Sequence, residues 1–223
     1  VESEFGAASV VLGASAAGAR TYSTTTAQGL LLMAEVLFNI SGLRLPVVIT
    51  CANRAISAPI NIWNDHSDAM VVRDAGWIML FAEDNQESAD MHPQAFKIGE
   101  DPNIALPVMI NMDGFILTHA FEPVDMPDQA DVDAYLPMYK PVEFLDINNP
   151  KTFGVLAEPQ WYAETRYKIQ ETQEDAKQVI EMVAQDFKAK FGRWYGGLID
   201  TYRMDDAERV FVAMGSLIGT LKE

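Results

Sequence analysis

The residues of this sequence that most clearly could do chemistry lie between Cys51 and Asp68. This segment contains a proline and three asparagines, and it has no helical repeat of apolar residues. It follows an apolar run, Leu45 to Thr50, which is typical of a buried strand. The segment is therefore predicted to be a loop that leaves the carboxyl end of a strand, where loops of an open parallel sheet line the ligand crevice.

Arg54 is the cation of this loop, and the apolar residues Ile60, Ile62 and Trp63 follow it closely. A planar guanidinium pairs with a carboxylate through two parallel hydrogen bonds. A cation beside apolar side chains therefore favours a small organic acid with a hydrophobic tail. The alternative is an arginine that only fastens the loop, through backbone carbonyls or a nearby aspartate.

Two further groups of residues have both a structural and a functional interpretation. Glu4 stands at the start of a small-residue helix predicted over 2–19, where a carboxylate either caps the helix or serves a site. The run Asp65-His66-Ser67-Asp68 suggests a metal site, but zinc more often takes two histidines from one helix face. We predict that this run is a capping cluster for a short helix at 68–75.

Composition excludes several classes of protein. Thirty-two acidic residues against sixteen basic ones argue against a nucleic-acid surface, which needs clustered cations. A single cysteine excludes an internal disulfide and any iron-sulfur cluster held by this chain alone. The apolar runs are shorter than a membrane span requires, and the first residues have no signal-peptide pattern. We predict a cytoplasmic protein without nucleic-acid or membrane contacts.

Apolar runs that indicate strands alternate with segments that indicate helices. Strands are predicted at 20–25, 45–50, 77–82 and 106–111, and helices at 27–40 and 86–98. The strands are continuously apolar, which indicates an α/β fold: a three-layer open, mostly parallel sheet with helices on both faces. A proline-rich excursion at 121–154, a long helix at 158–190 and a strand at 209–214 follow, and this last strand predicts the opening of a second domain.

Several ordered motifs closely resemble one known family. They are the run from Glu2 to Ala8, the tract from Thr24 to Leu32, the run from Arg54 to Ile62, and Asp65-His66-Ser67-Asp68. Together they resemble the α subunit, or first domain, of the 2-oxoacid:ferredoxin oxidoreductases, among which the pyruvate enzyme is the best known. The resemblance covers nearly the whole chain.

The resemblance implies a pyrimidine-type thiamine diphosphate domain over residues 1–204, with its N-terminal strand missing, and the truncated start of a second α/β domain over 205–223. Glu4 matches the glutamate that hydrogen-bonds N1′ of the aminopyrimidine, and Arg54 matches the arginine that holds the substrate carboxylate. Ile60 and Ile62 match the apolar wall that faces the substrate side chain. Thr25, Thr26 and Gln28 are expected to border the cofactor.

The activity that the resemblance implies is oxidative decarboxylation of a 2-oxoacid, pyruvate first, to an acyl-coenzyme A. Mg²⁺ and the [4Fe-4S] clusters that pass electrons to ferredoxin are expected on partner domains or subunits (β, γ and a ferredoxin-like δ). A branched or aromatic substrate, such as 2-oxoisovalerate or phenylglyoxylate, is the alternative, because the Pro59 and Trp63 region allows a larger group. The alternative from another class is a non-catalytic domain that docks the cofactor-bearing subunit.

Overall fold

Four runs of β-branched and apolar residues form one sheet in the computed structural model, which describes all 223 residues. The strand order is β1-β2-β4-β3, and every neighbouring pair is parallel. The strands are β1 (Tyr22–Thr26), β2 (Val48–Asn53), β3 (Ile78–Phe81) and β4 (Val108–Asp113). The predicted parallel α/β sheet is confirmed.

Seven α-helices accompany the sheet, and local caps fix where several of them begin or end. The Ser3 side chain accepts from the Gly6 N–H at the start of α1, and the Asp84 side chain accepts from the Glu87 N–H at the start of α4. The helices are α1 (Glu4–Ala16), α2 (Ala27–Gly42), α3 (Ser67–Val71), α4 (Asn85–Gly99), α5 (Gln129–Tyr135), α6 (Pro159–Phe191) and α7 (Leu217–Lys222). None of them is both long and apolar enough to cross a membrane.

The hydrophobic core lies on both faces of the sheet, as the prediction of three layers requires. On one face, Ile49 and Cys51 of β2 pack with α2 side chains such as Leu30 and Leu37. On the other face, strand residues pack with α4 and with the long helix α6, which contributes Phe187. Burial of these side chains on both faces explains why the strands are continuously apolar.

The second strand begins and ends three residues later than predicted. Cys51 and Asn53 pair with Asn111 and Asp113 of β4, so they belong to β2 and not to the loop. Leu45 and its neighbours are buried but lie before the first ladder pair, where Pro46 has no N–H to donate. The loop that is predicted to line the ligand crevice therefore begins at Arg54, directly after the strand.

The strand predicted at 209–214 is wrong. No sheet partner lies beside these residues, and all of them are exposed. An apolar, β-branched run forms a strand only where a neighbouring strand accepts its backbone hydrogen bonds. The division into domains at residue 204 stays a prediction.

Candidate active site

The site is assembled at the carboxyl edge of the sheet, where β1, β2 and β4 end side by side. Thr26 is in register with Ala52, and Asn53 is in register with Asp113. The segment after β1 leads directly into α2, and the segment after β2 begins with Arg54. Residues far apart in sequence therefore reach one crevice, as parallel sheets of this kind generally arrange.

Glu4 lies against the first turn of α2. A Cβ atom built on Gly29 would stand 2.7 Å from Cγ of Glu4 and 2.7 Å from Oγ1 of Thr25. Only a glycine allows both side chains to approach the helix backbone this closely. The structure thus brings Glu4 and Thr25 together, and Glu4 itself is exposed.

Three of the predicted site residues carry a buried polar atom without a partner. These atoms are Oγ1 of Thr25, Nε2 of Gln28 and Nε of Arg54. Buried polar atoms are satisfied almost everywhere in folded proteins, so such a group at one edge of a sheet indicates a place for a ligand. Thr26 differs, because its hydroxyl donates to the Ala52 carbonyl at 2.6 Å and ties β1 to β2.

The side chain of Arg54 is not used to fasten the loop. Its guanidinium forms no salt bridge, and the hydrogen bond that fixes the residue comes from its backbone N–H. The residue is half-buried. These contacts favour the interpretation of Arg54 as an anion-binding group over that of a structural arginine.

The loop after Arg54 presents its apolar residues outward. Ile60 is 87% exposed and Ile62 is 48% exposed, so both are free to contact a further molecule. The Ala55 N–H donates to the Trp63 carbonyl at 3.1 Å and closes the loop. The Trp63 ring packs on Phe115, with 3.9 Å between ring centroids, which holds the loop against the segment after β4.

The capping cluster predicted at 65–68 is only partly confirmed. Asp65 accepts from the Ser67 N–H at 2.6 Å. Asp68, in contrast, is fully buried and reaches back to the two crevice segments, and His66 binds Asp113 at 2.7 Å. The predicted single helix at 68–75 is a short α3 followed by a 3-10 turn, Arg73–Ala75.

Asp113 is a second buried carboxylate that the sequence did not single out as a binding group. It accepts from His66, from the Asn64 side chain and from both the N–H and the hydroxyl of Ser216. The hydrogen bond that His66 donates to Asp113, opposed by burial, raises the pKa of His66 above its ordinary value. Burial alone would raise the pKa of Asp113, but the hydrogen bonds from His66 and Ser216 outweigh it and lower that pKa.

Asp68, Asp113 and Gly29 are the residues of this edge whose positions the sequence did not reveal. Asp68 lies in the first turn of α3 and Asp113 is the last residue of β4, and donors from distant segments bind both carboxylates. Gly29 gave a weak signal, since a glycine inside a predicted helix commonly marks a close approach. No group of three or more His, Cys, Asp or Glu side chains is arranged to hold a metal ion.

Comparison with known proteins identifies a family and several relatives of this chain. The family described as "Pyruvate flavodoxin/ferredoxin oxidoreductase, thiamine diP-bdg" matches residues 1–185. Pyruvate synthase subunit PorA of Methanosarcina barkeri is 56% identical over the whole of this chain, which covers 56% of that protein. PorA of Pyrococcus abyssi is 52% identical, and ketoisovalerate oxidoreductase subunit VorA of Pyrococcus horikoshii is 46% identical, again over the whole chain and 56% of each relative.

A solved structure shares the fold. It is a 2-oxoglutarate:ferredoxin oxidoreductase from Magnetococcus marinus, with 2-oxoglutarate, coenzyme A and succinyl-CoA bound. The TM-score is 0.56 at 18% identity, over 78% of this chain and 36% of that one. The chain spans little more than half the length of the curated relatives it matches.

Proposed function

The chain belongs to the thiamine diphosphate-binding family of the pyruvate flavodoxin/ferredoxin oxidoreductases. From that membership we propose that it supplies half of the active site of a pyruvate:ferredoxin oxidoreductase, the half that binds the aminopyrimidine of the cofactor and the carboxylate of the substrate. The observation that carries the proposal is the group of unpartnered buried atoms on Thr25, Gln28 and Arg54, together with the position of Glu4 beside Thr25. Relatives named as pyruvate synthase subunits are 45–56% identical to this chain and support the proposal.

The residues at this edge fit the cofactor that the family binds. The Thr25 hydroxyl and the Glu4 carboxyl lie together where β1 leads into α2, the Gln28 amide belongs to the same segment, and each group can hydrogen-bond a polar heterocycle. Thiamine diphosphate, when bound, supplies the carbon nucleophile and the electron sink for decarboxylation of a 2-oxoacid. We assign Glu4 to N1′ of the aminopyrimidine, and Thr25, Thr26 and Gln28 to the border of the cofactor.

Arg54 holds the substrate in this proposal. Its free guanidinium pairs with the carboxylate that all 2-oxoacids share, and this pairing fixes the orientation of the 2-oxo carbon. Ile60 and Ile62 form the wall that faces the side chain of the substrate, and they exclude water from it once the site is closed. The protein's own contribution is thus orientation, hydrogen bonding at one ring nitrogen, and exclusion of water.

The remaining parts of the reaction belong to partners. We propose that the diphosphate and its Mg²⁺ are held by a β subunit, and that [4Fe-4S] clusters on a ferredoxin-like δ subunit carry electrons to ferredoxin, with a γ subunit completing the complex. Coenzyme A accepts the acyl group. This chain alone is then half of a site and does not turn over, and the complex works in the cytoplasm.

Pyruvate is the proposed substrate, and a branched or aromatic 2-oxoacid is the second candidate. The exposure of Ile60 favours the second candidate, because an open wall leaves room for a group larger than methyl. The VorA relative, named as a ketoisovalerate oxidoreductase subunit, supports the same alternative. Discrimination by an apolar wall amounts to only about 10- to 200-fold per methylene, so one protein fold can serve either substrate.

The test is anaerobic viologen reduction by the intact complex with thiamine diphosphate, Mg²⁺ and coenzyme A. Pyruvate, 2-oxoisovalerate, 2-oxoglutarate and phenylglyoxylate are compared. We expect the highest kcat/KM with pyruvate, and a loss of about 30-fold or more in Arg54→Ala, since a charged hydrogen bond contributes roughly 2 kcal/mol. Arg73→Ala is the matched control, because Arg73 is exposed outside the crevice. If the complex reduced viologen with none of the four substrates, the proposed function would be contradicted, and a non-catalytic docking role would be favoured instead.

A further inference from the structure

Asp68 is a fully buried carboxylate that is bonded to both halves of the crevice. Its Oδ2 atom accepts from the Ala27 N–H at 3.1 Å and from the Arg54 N–H at 3.1 Å. Ala27 opens α2, directly after Thr25 and Thr26, and Arg54 is the first residue after β2. One oxygen atom therefore joins the segment assigned to the cofactor and the residue assigned to the substrate.

The second oxygen of Asp68 is held just as firmly. Oδ1 accepts from the Asn53 side chain at 2.9 Å and from the Ala69 N–H at 2.7 Å. The Asn53 amide also donates to Oδ1 of Asn111 in β4, so the carboxylate is tied to the sheet itself. A carboxylate removed from water is stabilised only when several donors surround it, and here four N–H donors do so.

The backbone at Ala27 shows why this acceptor matters there. Ala27 has a φ of 36°, in the region that favours glycine, so its conformation depends on the surrounding contacts. The hydrogen bond to Asp68 holds its N–H in that conformation. Gln28, the next residue, and Thr25, two residues before Ala27, carry unpartnered buried atoms described above.

We propose that Asp68 is a positioning residue that sets the cofactor-binding segment and Arg54 in one fixed relation. It touches neither cofactor nor substrate and acts through the backbone N–H groups of Ala27 and Arg54. This inference rests on the proposed function, because it takes the assignments of Thr25, Gln28 and Arg54 from it. Its consequence is that a single change at Asp68 weakens the binding of both molecules.

Asp68→Asn tests this in the complete complex. The substitution keeps the size of the side chain but replaces one acceptor oxygen by an amide NH2, so the side chain can no longer accept from all four N–H donors. We expect the Kd of thiamine diphosphate, measured by calorimetry on the cofactor-free complex, and the KM of pyruvate each to rise about tenfold or more. Asp65→Asn is the matched control, because Asp65 is exposed in the same loop and bonds only Ser67, and both constants should stay within about twofold.

Single variants in the two segments that Asp68 joins distinguish a positioning role from direct contact with a ligand. Arg54→Ala should raise the KM and leave the cofactor Kd unchanged, whereas Gln28→Ala should raise the cofactor Kd. A folded Asp68→Asn complex with only a lower melting temperature, and with both constants unchanged, would show a purely structural role and overturn the inference. A change in only one of the two constants would overturn it as well.

Hydrogen exchange on the unmodified complex gives a second measurement if Asp68→Asn does not assemble. Binding of thiamine diphosphate should slow exchange of the Arg54 amide together with that of Ala27, because both amides donate to one oxygen. Protection confined to residues 25–28 would contradict the inference. An unmodified complex that binds the cofactor and shows this coupling but reduces no viologen would instead contradict the proposed function alone.

Discussion

Ser216 donates two hydrogen bonds to Oδ2 of Asp113, from its N–H at 2.8 Å and from its hydroxyl at 2.6 Å, although the two residues are far apart in sequence. Gly215 packs against the same carboxylate, where an added Cβ would stand 2.8 Å from either oxygen. His66 binds the other oxygen. The loop that carries Arg54 and the C-terminal segment of the chain therefore meet at one buried acid.

Asp113→Ala is expected to release this C-terminal segment. The substitution removes the acceptor for Ser216 and for His66, so residues 215–223 should exchange amide hydrogens about tenfold faster or more, and the 54–66 loop should follow. Hydrogen exchange read by mass spectrometry checks this. Asp128→Ala is the control, because Asp128 is exposed and its side chain caps nothing. Unchanged exchange in both segments of Asp113→Ala would show that other contacts hold them.

The His66–Asp113 pair predicts a loss of stability on the alkaline side. The folded pKa of His66 is raised above its ordinary 6.5 by the hydrogen bond to Asp113. The folded state therefore binds the proton more tightly, and the stabilisation is present below pH 6.5 and is lost as the pH rises through the folded pKa. Thermal unfolding of the chain and of His66→Gln, from pH 5.5 to 8.5, measures this difference.

In that experiment the stability advantage of the unmodified chain over His66→Gln should shrink as the pH rises. His119→Gln is the control, since His119 is exposed and pairs with no acid. A constant difference across the range would mean that folding does not raise the pKa of His66, and would contradict the prediction.

Glu87 predicts a separate pH effect in the first turn of α4. Burial raises the pKa of Glu87 to about 7, although its carboxylate accepts from the Glu83 N–H at 2.5 Å. Because the folded pKa exceeds the unfolded one, stability falls as the pH rises from about 4.5 through about 7. Glu87→Gln should lose this dependence and should be the more stable form at pH 8. Parallel stability curves for the two proteins would contradict it.

Gly29→Ala is expected to weaken cofactor binding without unfolding the chain. The new methyl would displace Glu4 and Thr25, which stand 2.7 Å from its position, and Glu4 is exposed and able to move. We expect the Kd of thiamine diphosphate to rise about tenfold. Gly13→Ala is the matched helix control: nothing lies within 4 Å of that position, so it should be neutral or stabilising by about 0.5–1 kcal/mol. Equal cofactor affinity in both variants would contradict the contact between Glu4 and α2.

The sequence predicts the elements of this fold better than it predicts their junctions. Continuous apolar runs such as Val48 to Cys51 identify strands because both faces of the sheet are covered. The apolar pattern predicts an end of β2 at residue 50, which is too early, because the polar Asn53 also pairs in the ladder with Asp113. A buried polar residue at a strand end owes its position to partners from other segments, which no local pattern contains.

The same limit applies to the site. Glu4, Arg54 and Gln28 lie in motifs that resemble a known family, so the sequence could single them out. Asp68 could not be distinguished from a helix cap, because its donors on Ala27 and Arg54 come from different crossovers of the sheet. At 209–214 the sequence instead predicts an element that does not form. These residues favour a strand, but no neighbouring strand pairs with them.

The central claim is that this domain takes part in the chemistry through Glu4, and Glu4→Gln in the complete complex tests it most directly. Glutamine keeps the length of the side chain but not the carboxyl that we assign to the cofactor's N1′. With subunit composition and bound thiamine diphosphate verified, we predict that anaerobic viologen reduction with pyruvate falls by about a hundredfold or more. Activity within about twofold of the unmodified complex would contradict the assignment and leave this domain as a docking module.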